Sequence, residues 1–356
     1  MSAAPAGPSA PVSSVPPAPA PAALWPGLLL CLAISAVSLW LGRAPQLAHF
    51  GLSSLTLAIV LGLVAGNLWP RLASGTRAAG VTFSKGMLLR AGIVLYGFRL
   101  TLHQLLGIGW AGLVADVLML SSTFFLTYLL GTRLFRLDAQ TSALMGAGSS
   151  ICGAAAVLAT QPVVRARAEQ VTVAVATVVL YGTVGIFLYP QMAAAGLWPF
   201  GGAAYGIYIG SSVHEVAQVV AAGQAISPEV ADAAVTAKML RVMLLAPFLL
   251  ALAAWWSRRT PLAEGEARTP ISVPWFAFGF VAVTLLNSAL PLPANVTAGL
   301  IWLDTALLTA AMAALGLTTQ LRTLLQAGIR PLLLGLVVFA WLVMAGGLLQ
   351  TWVQGW

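Results

Sequence analysis

Twice, inside apolar stretches, the chain places Gly-Ser-Ser: "GSSICGAAAV" from Gly148 and "GSSVHEVAQVV" from Gly210. Backbone that leaves the helix at membrane depth is tolerated only where it is buried in protein or lines a wet cavity. Such a break exposes a half-helix N-terminus. Its free N–H groups and the neighbouring hydroxyls suit a small oxyanion. Gly148, Ser149, Ser150, Cys152 and Gly153, with Gly210, Ser211 and Ser212, are therefore the candidate anion-binding residues. The alternative for these small residues is close packing of neighbouring helices. In the second copy Ser211, His214, Glu215 and Gln218 stand at i, i+3, i+4 and i+7, so a continuous helix would align them on one face. A carboxyl at membrane depth marks function by default. Glu215 with His214 reads as an ion-coupling pair; the other reading is an ion pair from Glu215 to Arg or Lys that only locks helices. A His-Glu pair at i, i+1 points its groups apart, which argues against a metal site. Nucleophile-elbow and P-loop signatures are missing, which argues against an enzyme.

The remaining charges inside apolar stretches extend the candidate site. Arg99 in "GFRLTL" and Lys238 could neutralise a bound anion or pair with Glu215, while Arg90 and Arg241 could snorkel to the headgroups. Asp116 and Asp304 read as coupling-ion ligands or as helix-end charges, and Asp116 joins the ion-coupling set. Thr318, Thr319 and Gln320 beside Gly316 suggest another break; Asn287 with Pro291 and Pro293 suggests a helix end.

The elements that must position these residues follow from composition. Of 356 residues, 60% are hydrophobic and only 7% charged; the mean hydropathy is +0.93. Soluble domains carry about one quarter charged residues, so the expectation is an all-α polytopic membrane protein. At about 20 apolar residues per spanning helix, segments fall near 27–42, 51–69, 86–102, 108–131, 141–161, 170–190, 203–223, 234–256, 273–290, 299–321 and 331–353. Residues 1–24, uncharged and rich in Ala and Pro, read as a disordered tail that lacks the basic start of a signal peptide. The rest, 25–356, reads as one transmembrane domain. The 17 Lys and Arg, against 9 Asp and Glu, sit mainly in short connections, the pattern that orients membrane proteins rather than a nucleic-acid face. Cys31 and Cys152 both lie in apolar segments, so no disulfide framework is indicated.

Orientation follows from the positive charges. Arg71, Arg77 and Lys85, then Arg133 and Arg136, then Arg258, Arg259 and Arg268, then Arg322 and Arg330 gather on one side, which puts the N-terminus in the cytoplasm. One conflict arises. If the fifth and seventh segments cross, Arg165 and Arg167 fall outside and the uncharged "PQMAAAGLWPFGG" at 190–202 falls inside. If both are re-entrant, the rule holds throughout and they enter from opposite faces. Helices that cross but are interrupted at Gly-Ser-Ser are the form preferred here, with re-entrance as the alternative. A second echo pairs "LYGFRLTLHQLLGIG" at 95–109 with "ALGLTTQLRTLLQAG" at 314–328. Such echoes accompany inverted repeats, though abundant Leu and Gly also match by chance.

The ordered set "LYGFRLTL", "GSSICGAAAV", "GSSVHEVAQVVAAG" and "LGLTTQL" resembles the YeiH-like family, to which sulfate export is ascribed, over residues 25–356. The resemblance implies a bacterial inner-membrane protein of about ten helices. It also implies kinship with cation:proton antiporters and bile-acid-type symporters, built on inverted repeats with crossed discontinuous helices. The expected function is export of sulfate or a related small sulfur oxyanion or sulfonate by alternating access, without cofactor. Ser149, Ser150, Ser211 and Ser212 would bind the anion, Lys238 or Arg99 would supply charge, and Glu215 with His214 would couple movement to protons or sodium. The partners are then the anion, the coupling ion and the lipid bilayer, with a homo-oligomer left open. Two rival readings stand beside it: a cation:proton antiporter with Glu215 and Asp116 on the cation, and a non-transporting membrane sensor or assembly protein.

Overall fold

A computed structural model describes residues 24–43, 53–103, 109–259, 274–290, 292–320, 322 and 328–354. The expected tail up to residue 23, Arg268, Pro291, Leu321 and most of the distal end of the 314–328 echo lie outside them. Among the described residues every apolar segment is built of helix and no strand occurs. In chain order the helices are α1 (Trp25–Leu41), α2 (Ser54–Leu68), α3 (Gly75–Arg99), α4 (Gly109–Leu129), α5 (Ala139–Ser150), α6 (Ala154–Val164), α7 (Ala168–Ala194), α8 (Gly202–Ser212), α9 (Val216–Gln224), α10 (Pro228–Arg258), α11 (Trp275–Ala289), α12 (Ala294–Thr318) and α13 (Ile329–Gln354). Six runs are long and apolar enough to cross a membrane: α3, Gly112–Leu134 (α4 with the turn that extends it), α7, α10, α12 and α13.

Starts are set locally. Ser53 accepts from Thr56 N at 3.2 Å ahead of α2, Asp138 from Thr141 N at 2.7 Å ahead of α5, and Ser227 from Val230 N at 3.2 Å ahead of α10. Each satisfies one of the donors that a helix start leaves free. Within α3, Ser84–Leu88 forms a π turn that carries Lys85.

The fifth and seventh segments are the broken ones. Neither crosses. Asp138 at the start of α5 accepts a 2.6 Å bond from Gln170 Nε2 at the start of α7, so the chain returns after α6 to the side it left. α5 and α6 pack side by side. Likewise Glu229 Oε1, at the start of α10, accepts from Ala203 N, at the start of α8, at 3.2 Å. Arms of 9 to 12 residues reach about 14–18 Å, half of a hydrocarbon core of about 30 Å. Both segments are re-entrant hairpins. The preferred expectation of interrupted crossing helices, and the crossed arrangement implied by the resemblance, are corrected accordingly. Between the hairpins the 27 residues of α7 span about 40 Å, so the two hairpins enter from opposite sides. Each is followed by a long helix, α7 or α10, which makes the pair an inverted repeat of one pattern. Arg165 and Arg167 then share a side with Arg133 and Arg136, and the conflict over charge disappears.

The helices form two bundles. α1, α2, α3, α11 and α12 pack chiefly on one another; α4 to α10 and α13 form the second, with few contacts between. The 95–109 and 314–328 echo places α3 and α12 side by side in the first. There Gly97 backs onto Phe280 and Gly316 onto Ile59, where a Cβ would strike backbone. Asn287, expected to mark a helix end, donates to Phe98 O at 3.2 Å and Leu100 O at 3.0 Å, capping α3 while α11 stops two residues later.

Candidate functional site

The hairpin tips, Ile151–Cys152–Gly153 and Val213–His214–Glu215, meet inside the second bundle. Both Gly-Ser-Ser stretches end the incoming arm and do not begin the returning one, so Ser149, Ser150, Ser211 and Ser212 stand at half-helix C-termini. The expected N-terminal placement is corrected. The cause lies in the hydroxyls: Ser150 Oγ donates to Ala147 O at 3.4 Å and Ser211 Oγ to Tyr208 O at 3.1 Å, while Ser212 Oγ also bonds Tyr208 O. Such back-bonds are made to the preceding turn and hold a serine within it. The glycines serve approach: Gly148 faces Val157 and Val178, and Gly210 faces Ala234 and Ala237 too closely for any Cβ.

Two side chains complete the tips. Lys238 Nζ donates to Ile151 O and to Val213 O, 2.7 Å each, so one buried ammonium holds the carbonyl ends of both incoming arms. Glu215 does the reverse. Its Oε1 accepts from Ala154 N at 3.2 Å, at the start of α6, and with Gln218 it forms the capping box of α9. Incoming arms end in partial negative charge and returning arms begin in partial positive charge; one cation and one anion answer both. Gly153, at φ +69°, makes room: a Cβ there would collide with Glu215 Cγ. Gln218 accepts from Glu215 N at 3.0 Å and donates to Val179 O at 3.3 Å. The single-face stripe of Ser211, His214, Glu215 and Gln218 does not form, because the helix is broken at 213–215, which takes its second and third members out of the helix and leaves the first and fourth on different arms.

Not every expected residue joins. Arg99 lies in the first bundle, with Nε on Asp304 Oδ2 at 2.8 Å and Nη2 on Thr305 Oγ1 at 2.6 Å. Together with Tyr96, Ser53, Gln224 and Ser227 it lines a cavity of about 410 Å³ between the bundles, on the side opposite Asp138. Asp116 belongs to the second bundle and accepts from Arg241 Nη2 at 3.0 Å, both groups buried. His214 is buried at the tip, 6.3 Å ring to ring from Phe339, with Nδ1 lacking a partner among the described residues. Cys152 is buried between Ile151 and Gly153. Among the described residues no cluster of three metal-ligating side chains forms.

Sequence reasoning passes over two contributors. Arg241 reads from the sequence as a residue that could snorkel, yet it is fully buried. Asp232 accepts from the Tyr96 hydroxyl at 2.9 Å across the seam between bundles. Only Arg241 left a signal, its spacing of three from Lys238.

The family described as conserved hypothetical protein 698 matches residues 26–335. The chain is 57% identical over 332 residues to the UPF0324 membrane protein PA5383 of Pseudomonas aeruginosa, covering 92% of this chain and 93% of the relative. It is 55% identical over 330 residues to the UPF0324 inner membrane protein YeiH of Salmonella typhimurium, covering 92% and 94%. To YeiH of Escherichia coli K12 it is 54% identical over 335 residues, covering 93% and 95%.

Proposed function

The chain belongs to the conserved hypothetical protein 698 family of UPF0324 multi-pass inner membrane proteins, and on that premise we propose that it is a secondary transporter exporting a small anion. Sulfate or a related sulfur oxyanion or sulfonate is the cargo class, and the movement is proton-coupled. The observation that carries this reading is the meeting of two oppositely inserted hairpins at one buried Lys238–Glu215 junction. Half-helix ends facing each other at mid-depth are the arrangement by which transporters hold ions without water. The 410 Å³ cavity between bundles supplies a vestibule on the side away from Arg133, Arg136, Arg165 and Arg167. By the positive-inside rule that vestibule faces outward and the N-terminus lies in the cytoplasm.

Within the junction Glu215 stands where a cargo anion would receive N–H donors, and a proton on its carboxyl frees those donors. Lys238 holds the two tips in register. Purified protein in liposomes, assayed with labelled sulfate and sulfite under an imposed pH gradient, tests this. Losing a hydrogen bond to a charged group is worth about tenfold or more, so Glu215→Gln and Lys238→Gln should slow transport by at least that factor. Variants that move both anions like the parent would sink the site assignment.

A second reading, cation:proton antiport, is favoured by one observation: the carbonyl ends of both incoming arms, where Lys238 now sits, are cation-seeking. Proton flux driven by Na+ and not by sulfate would select it.

A further inference from the structure

Arg241 is fully buried, and its neighbour Asp116 takes only Nη2; Nε and Nη1 find no acceptor among the described residues. A guanidinium has five donors and never gives up its charge, and buried donors without acceptors are rare enough that each calls for an explanation. Two further buried groups lack a partner among the described residues, His214 Nδ1 at the second hairpin tip and the hydroxyl of Tyr189, whose ring packs 5.0 Å from that of Tyr208. Asp116 also lines a cavity of about 150 Å³ between α4, α8 and α13, together with Gly112, Ser211 and Gln350. Gln350 is buried, and its Nε2 is another donor without a partner. Arg241 thus stands one side chain behind the wall of a small polar cavity that itself presents a spare donor.

We propose that Arg241 is the anchor for a small oxyanion, reached through the Asp116–Ser211–Gln350 cavity, with Asp116 as the internal carboxylate that the oxyanion displaces from the guanidinium. This rests on the transport reading above, and it moves the cargo's charge partner from Lys238 and Arg99 to a residue that neither tip uses. Lys238 is held by two carbonyls and Arg99 by Asp304, Thr305 and Ile301, whereas two of the three guanidinium nitrogens of Arg241 are buried with no acceptor among the described residues. A planar fork of charge-assisted donors matches a sulfur oxyanion better than an ammonium does. Room at the site also matters: Ser211 Oγ, bonded at 3.1 Å to Tyr208 O, can turn toward the cavity it lines.

The test is equilibrium binding of labelled sulfate, then sulfite, thiosulfate and methanesulfonate, to the full-length protein in detergent, with transport in liposomes alongside. Arg241→Lys keeps the charge and loses the fork, and is expected to weaken binding about tenfold or more. Asp116→Asn removes the competitor and should tighten binding by about the same factor, whereas a merely structural role for the pair predicts no gain. Gln350→Glu places a carboxylate in the cavity and should weaken binding; it also serves if Arg241→Lys fails to fold. Unchanged binding in Arg241→Lys, no tightening in Asp116→Asn, or no weakening in Gln350→Glu overturns the anchor. Parent protein that transports sulfate while Arg241→Lys transports it equally well overturns the anchor alone. Parent protein that neither binds nor moves any of the four anions overturns the cargo reading with it.

Discussion

Two arginine–aspartate pairs sit in the two bundles and are solved differently. In the first bundle Arg99 binds Asp304 through Nε, reaches Thr305 Oγ1 and Ile301 O through Nη2, and lies 4.9 Å above the Tyr96 ring. Its Nε and Nη2 are both held by acceptors of the same bundle. What remains over there is an acceptor, Asp304 Oδ1. In the second bundle Arg241 binds Asp116 once, and what remains over is donors. Both pairs tie helices of one bundle together, α3 to α12 and α4 to α10. The difference separates a lock from a reservoir: surplus donors at the core of the hairpin bundle fit an anion, and surplus acceptors in the other do not.

The sharpest way to break this contrast is to remove the base of the lock. Arg99→Ala leaves Asp304, fully buried, as an uncompensated charge, an event that costs about 3–5 kcal/mol. A large fall in the thermal midpoint of the purified protein is expected, with partial recovery in Arg99→Ala/Asp304→Asn. A midpoint equal to the parent's would mean that Arg99 is no lock.

The sequence shows where helices break and hides which way the ends point. Gly-Ser-Ser announced both interruptions correctly, because small residues and glycine are what tight tips need. It could not announce that the serines close the incoming arms, since a hydroxyl can bond forward to a free N–H or back to a carbonyl. The fold-back was legible in Arg165 and Arg167, whose charges sat on the wrong side of any crossing helix. The outcome depended on Asp138 and Gln170, 32 residues apart, forming one bond at the hairpin's base, which no local pattern reveals. Glu215 stood out by being a carboxyl in an apolar run. Arg241 did not, because burial of a long basic side chain near a helix's middle is decided by α4, on the far side of the bundle.

The tip geometry admits a test of intermediate size. Gly153 has φ +69°, and its missing side chain leaves the space that Glu215 Cγ fills. Gly153→Ala should destabilise by roughly 1–3 kcal/mol through strain at that backbone position, and transport should fall with it as Glu215 is pushed from Ala154 N. Gly86→Ala in the π turn, where a Cβ meets nothing within 4 Å, is the control and should leave both unchanged. Equal effects at the two glycines would remove the tip from the argument.

The smallest effect is expected at the seam. Tyr96 Oη to Asp232 Oδ1, 2.9 Å, joins α3 of one bundle to α10 of the other at the edge of the 410 Å³ cavity. Asp232 is only part-buried, so water can replace the phenol. A double-mutant cycle with Tyr96→Phe and Asp232→Ala should therefore give a coupling of about 0.5–1.5 kcal/mol, well below that of Arg99 with Asp304. That order matters physically. Under the proposed alternating access one bundle would shift against the other, so bonds across the seam would have to break in each cycle while bonds within a bundle persist. A seam coupling as large as that of the Arg99 lock would tie the bundles into one body and overturn the proposed role of the vestibule as the path of the cargo.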